Sequence, residues 1–177
     1  QMRTDLLSLG VERTPNTDTG ERAIEDYFSG LLGDKVMFCE YPTERAFLNT
    51  LAVAVSRDDI AVLSVDSDLF DAFKNFVGAA FKLDMRPNRN VFRAIKKSYP
   101  SMPDDTVNSH SKIPSGATPL ITADGLYSGF VIKARSQNVF VLPLDQTRTA
   151  IMLSGPVADY IKQFVHIQPD VPAAVPV

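Results

Sequence analysis

The hydrophobic positions of this chain fall into runs of two kinds. Residues 5–9 (DLLSL), 36–39 (VMFC) and 60–65 (IAVLSV) are short and mostly apolar, with the length of strands. Between them, apolar residues recur every three or four positions. They are Ala23, Ile24, Tyr27, Phe28, Leu31 and Leu32, then Phe47, Leu51 and Val55, then Leu69, Phe70, Phe73, Phe76, Val77 and Phe81. That spacing lines one side of a helix. Asp18-Thr19-Gly20-Glu21 has capping-box spacing and predicts the start of the first helix, with Gly33 as its stop. Pro42-Thr43 predicts the start of the second. IAVLSV is apolar on both faces, as strands covered by helices on both sides are. Three strand–helix alternations predict an α/β fold with three layers, α/β/α, around a mostly parallel sheet.

The second half is less regular. A helix is predicted over residues 90–99, then a loop rich in Pro, Ser and Asp over 102–118. Residues 130–134 and 139–142 flank Arg135-Ser136-Gln137-Asn138 and predict an added β-hairpin. A last helical region, 151–153 and 157–164, is interrupted at Gly155-Pro156. There is no internal repeat.

Composition narrows the picture. With 177 residues, 45% hydrophobic, the chain fits one domain over residues 1–167 and a Pro/Ala-rich tail or linker over 168–177. The tail, together with Gln1-Met2 ahead of the first strand, suggests a domain cut from a longer protein. Net charge is −3, with no broad basic footprint for nucleic acid. The dense basic stretch 86–97 reads as a solvated helix face. No apolar run approaches the ~18 residues that span a bilayer, so no membrane partner is expected. A single cysteine, Cys39, allows no intrachain disulfide, and ending an apolar run it reads as a buried structural thiol. A cytoplasmic location is the expectation.

A family comes into view in the second half. "IPSGATPLITADGLYSGF" (113–130) followed by "VFVLP" (139–143) resembles the molybdopterin-binding domain family, most of all the amino-terminal domain of competence/damage-inducible protein A. That family carries I-P-x-G-A-x-x-L, then N-x-x-G-x-x-x-G-F, a hairpin and L-P-G-x-P-x-E. Ile113, Pro114, Gly116, Ala117, Leu120, Gly125, Gly129, Phe130, Leu142 and Pro143 fall in register. "LLSLGVE" (6–12) is similar to the family's S-x-G-x-E after its first strand. The resemblance covers roughly residues 4–164. It implies the same α/β fold, a ligand site at the strand ends, and homo-oligomers.

The departures fall on that site. After its third strand the family has G-G-x-G-P-T-x-D-D, whose glycines let the backbone approach a phosphate. The aligned residues here are Val65-Asp66-Ser67-Asp68-Leu69-Phe70-Asp71-Ala72-Phe73. No glycine remains, two positions carry carboxylates, and the paired aspartates are Ala72 and Phe73. Two like charges ~4 Å apart repel by roughly 4 kcal/mol at an effective dielectric of ~20. In L-P-G-x-P-x-E the glycine is Leu144, the second proline Gln146 and the glutamate Arg148, while the asparagine of N-x-x-G is Thr122. What survives shapes turns and packing. The resemblance therefore implies a degenerate site whose vestigial ligand-binding residues are Ser64, Asp66, Ser67, Asp68, Gly125, Gly129 and Pro143.

Taken alone, Asp66, Asp68 and Asp71 could hold a hard cation, but a solvated loop in which Asp68 or Ser67 caps the third helix is the preferred reading. His110, where the family has glutamine in Q-A-x-I-P, reads as a hydrogen-bonded loop histidine. His166 reads as a helix-terminal charge. Ser8 and Ser64 have no paired histidine in sequence, and two histidines with one cysteine do not supply a zinc site. The expected function is a catalytically degenerate domain serving as a structural, oligomerising or regulatory module, with no cofactor, with a second copy or other domains of the same chain as partners. The alternative is a metal-dependent hydrolase of nucleotide diphosphates, of the ADP-ribose type, or a molybdopterin-binding enzyme, with a rearranged acidic site at Asp66, Asp68 and Asp71.

Overall fold

The computed structural model describes residues 3–9 and 13–167. The first strand, β1 (Thr4–Leu9), lies between β2 (Phe38–Tyr41) and β3 (Ile60–Asp66), and β3 lies beside β8 (Gln137–Leu144). These four strands run parallel. β7 (Gly129–Ala134) and β6 (Thr118–Leu120) complete the six-stranded sheet with antiparallel pairings, giving the order β2-β1-β3-β8-β7-β6. All seven residues of β3 are buried, as its two-sided apolar run predicts.

The sheet separates two cores. On one face Leu6, Val62, Phe140 and Leu142 pack against α1 (Pro15–Leu32) and the carboxyl-terminal helices α6 (Arg148–Met152) and α7 (Ala158–Phe164). On the other, Leu7, Leu63, Val65 and Val141 pack against α2 (Glu44–Arg57) and α3 (Phe70–Ala80). The aromatic stripe of α3 is core: Phe73 meets Phe47 edge-on at 5.6 Å between ring centroids. A third, smaller cluster joins α4 (Arg89–Ser98) to α5 (Asp104–His110) through Val91, Ile95 and Val107. The three-layer α/β/α architecture and the hairpin β7–β8 are as the sequence predicts.

Several boundaries differ. α1 is capped four residues earlier than Asp18: Thr14 is its N-cap, accepting the Thr17 N–H, and Pro15 takes the first turn. Proline lacks the N–H that a first turn leaves unpaired, so it starts helices well. The loop expected over 102–118 holds α5 and β5 (Lys112–Pro114), and runs into β6. β5 pairs antiparallel with β4 (Met85–Pro87), a partner far away in sequence. β2 lies two residues later than predicted and forms the sheet's edge, so Cys39 is exposed rather than buried. Pro143 sits inside β8, opposite Val65, and the strand ends one residue later. Gly10, Glu12 and the 168–177 tail lie outside the described residues.

Both outer strands are blunted. Glu25 from α1 accepts the Phe38 N–H of β2. β6 is three residues long with Pro119 at its centre, which has no N–H to offer. Among the described residues no helix is long and apolar enough to cross a membrane.

Candidate functional site

The carboxyl ends of β1, β3 and β8 meet the amino-terminal turn of α1, the place where open α/β sheets bind ligands. Asp66 closes β3 and is 9% exposed. Its Oδ2 accepts hydrogen bonds from the hydroxyls of Thr14, the N-cap of α1, and, at 3.5 Å, Thr17 in its first turn. Its Oδ1 accepts the Asp68 N–H at 2.9 Å and caps the short 3-10 turn Ser67–Leu69 that leads into α3. The cap is therefore Asp66, not Asp68 or Ser67. A carboxylate at a helix amino terminus is favourable by roughly 0.3–1 kcal/mol, and more when partly buried.

Two further bridges close the strand ends. Asn16 of α1 donates to the Ser67 hydroxyl at 3.5 Å and accepts the Gln146 N–H at 3.3 Å. The Ser67 hydroxyl donates to Asp145 at 3.4 Å. Asp145 caps α6 by accepting the N–H groups of Thr147 and Arg148, at 2.9 and 2.8 Å. Burial would raise its pKa, but those hydrogen bonds hold it below the usual carboxylate value. Leu144 is fully buried in the core on α1's side of the sheet. Gly20 faces it, and a Cβ there would stand 2.8 Å from the Leu144 Cα, so the helix rests on the strand backbone.

Arg148 sits at the rim. It donates to Asp124 at 2.8 Å and to Asp145 at 3.4 Å, and its guanidinium lies 5.2 Å from the Tyr127 ring centroid. The Tyr99 hydroxyl donates to Asp124 at 2.8 Å. The Asp124 hydrogen bond raises the Arg148 pKa; burial works against the Asp124 carboxylate, but Arg148 and Tyr99 hold it low. Beside this network lies a hollow of about 270 Å³ between Ile121, Thr122, Asp124, Arg148, Ile151 and Met152. Its polar lining carries one aspartate, one arginine and the threonines Thr122 and Thr147.

The other predicted residues divide cleanly. Gly125 has φ +81°, and a Cβ there would meet the Ile95 backbone N at 2.6 Å; at Gly129 it would meet the Val141 carbonyl at 2.5 Å. Both are packing positions. Ser64 and Ser8 are cross-strand partners, buried, and neither hydroxyl has a hydrogen-bond partner among the described residues. His110 ends α5 rather than lying in a loop, and its Nδ1 pairs with Asp71 at 2.9 Å. Asp71 also pairs with the buried Lys74 at 3.1 Å, whose ammonium donates to the His110 carbonyl at 3.0 Å. Asp66, Asp68 and Asp71 thus do not converge, and among the described residues no group of three or more His, Cys, Asp or Glu could hold a metal. Sequence reasoning missed Thr14, Asn16, Thr17, Asp124 and Asp145. The Thr14-Pro15 pair was the available signal for the first three.

No family model and no curated protein matches this sequence. Solved structures do match. The protein CinA, of unknown function, from Thermoplasma acidophilum superposes with a TM-score of 0.68 at 20% identity, covering 88% of this chain and 96% of that one. A molybdenum cofactor biosynthesis protein B superposes with a TM-score of 0.55 at 12% identity, covering 93% and 94%. The chain shares the fold of these proteins, the molybdopterin-binding-like α/β fold that its motifs resemble.

Proposed function

We propose that this chain is a catalytically degenerate molybdopterin-binding-like domain. It serves as a structural, oligomerising or regulatory module of a larger cytoplasmic protein. One observation carries the reading: the Asp66 carboxylate occupies the amino-terminal turn of α1, bonded to Thr14 and Thr17, where an anionic ligand group would otherwise sit. The chain supplies its own anion. Leu144 pressed onto Gly20 and the bridges from Asn16 to Ser67 and Gln146 support it from the other side. A phosphate-bearing cofactor does not fit these residues. It would meet side chains in place of a bare backbone, and negative charge in place of free N–H groups.

Calorimetric titration with ADP-ribose and with a pterin phosphate, with and without magnesium or manganese, tests this. No saturable heat is expected in any condition. A single carboxylate charge ~4 Å from a phosphate charge weakens its binding by about a thousandfold at an effective dielectric of ~20. Micromolar, metal-dependent binding that disappears in the Asp66→Ala, Asp68→Ala double variant would overturn the reading in favour of a hydrolase.

A further inference from the structure

α4 carries its apolar residues and its cations on opposite sides. Val91 and Ile95 are fully buried against Val107. At 100° per residue, Arg89, Arg93 and Lys97 fall on the far side, and all three are exposed. Steps of four residues set them ~6 Å apart along the axis, ~12 Å from first to last. Exposed Arg86 lies on β4, three residues ahead of Arg89 in sequence.

These charges differ from the chain's other prominent cations. Arg13, Arg57 and Arg148 each hold two or more carboxylates. Lys96, on the same helix, bonds the carbonyls of Pro100 and Met102 and pairs with Asp104 at 2.9 Å. Arg89, Arg93 and Lys97 have no ion-pair partner among the described residues. Arg86 reaches only Asp84, at 3.9 Å, with both side chains in solvent. Like charges at i, i+4 weaken a helix, and residues 82–98 hold six Lys and Arg against one Asp in a chain of net charge −3.

We propose that this row docks an acidic polypeptide segment of a partner protein, two to three helical turns long, with carboxylates facing Arg89, Arg93 and Lys97. The row's limits point to a short segment. Asp84 lies beyond Arg86 at one end, and Asp104 sits against the last turn of α4 at the other, with exposed Asp105 next to it. A long polyanion laid along the helix would run onto these carboxylates, whereas a segment of ~12 Å ends before them. At the amino end a hollow of about 200 Å³, lined by Arg86, Asn88, Ser115 and Gly116, has room for one more side chain of the partner.

The test is a titration of the full, ¹⁵N-labelled chain followed by amide NMR shifts. The probe is an alanine-based peptide with Glu at three positions four apart. Saturable shifts confined to residues 86–98 and 115–116 are expected, with affinity at least tenfold weaker in the Arg89→Glu, Arg93→Glu, Lys97→Glu variant. The matching peptide with Lys in place of Glu should bind that variant and not the original chain. These three side chains are exposed, so the variant keeps its core. Two parallel arms use an oligothymidylate of equal charge and phosphatidylserine vesicles. The proposal is overturned if no saturable shift appears on α4, if charge reversal changes nothing, or if the oligonucleotide or the vesicles bind more tightly than the peptide.

Discussion

Gly125 shows how a single position holds separate segments together. Its φ of +81° is a conformation that other residues adopt at a cost, and its Cα approaches the backbone of Ile95 too closely for a Cβ. The position joins the 121–126 loop to α4. Gly125→Ala combines the conformational penalty with overpacking against an atom that cannot rotate away, an expected loss of at least ~2 kcal/mol. For a chain of this size that lowers the melting temperature by roughly 4–8 °C. A thermal scan showing an unchanged midpoint would refute the close approach. Asp66 is instructive in another way. Its identity as a departure from the family motif was legible in the sequence, but its partners Thr14 and Thr17 lie some fifty residues away, and nothing local announces them.

At the scale of elements, the junction of α2 and β3 makes one carboxyl easier to protonate. Asp58 follows α2 with its side chain almost wholly buried, bonded by the Arg57 Nε at 3.1 Å and near Arg3 at 3.5 Å. Burial, reinforced by a hydrogen bond with Asp5 and opposed by Arg57, pushes its pKa up to about 6. Asp5, despite its own burial, is held low by Asp58 and Arg57. The folded state therefore keeps a proton that the unfolded chain releases near pH 4. Asp58's contribution to stability is full below that pH and is lost as pH rises through about 6. Urea midpoints measured from pH 4 to pH 7 should fall more steeply in the original chain than in Asp58→Asn, and equal slopes would exclude the raised Asp58 pKa. The elements themselves were unevenly legible. β3, α3 and the hairpin β7–β8 carry long apolar patterns that local sequence specifies. β4 and β5 are three residues each and exist because a strand about 25 residues away pairs with them, so no local pattern announces them, and β6 is as short.

For the whole molecule, self-association is what the proposed oligomerising role predicts. Ile151 on α6 and Phe164 on α7 are large apolar side chains about half exposed, on the same side of the sheet. Light scattering at high protein concentration should give a mass above that of the 19.5 kDa chain, and Ile151→Glu should reduce it. A monomer at every concentration would remove the oligomerising role and leave the structural or regulatory one.

The blunted outer strands decide what such an assembly can look like. A proline centred in β6 and the Glu25 carboxylate seated on β2 leave neither border of the sheet as an open template. Copies of this chain are thereby steered away from joining into one continuous ribbon of strands. Growth of that kind has no natural end and leads toward fibrils. Contacts through helices are limited by the shape and area of the helical faces, and they can close after two or three subunits. The same two features also disfavour the addition of a partner's extended peptide to the six-stranded sheet. Side chains on the helical surface, by contrast, can be exchanged one at a time without disturbing the sheet beneath.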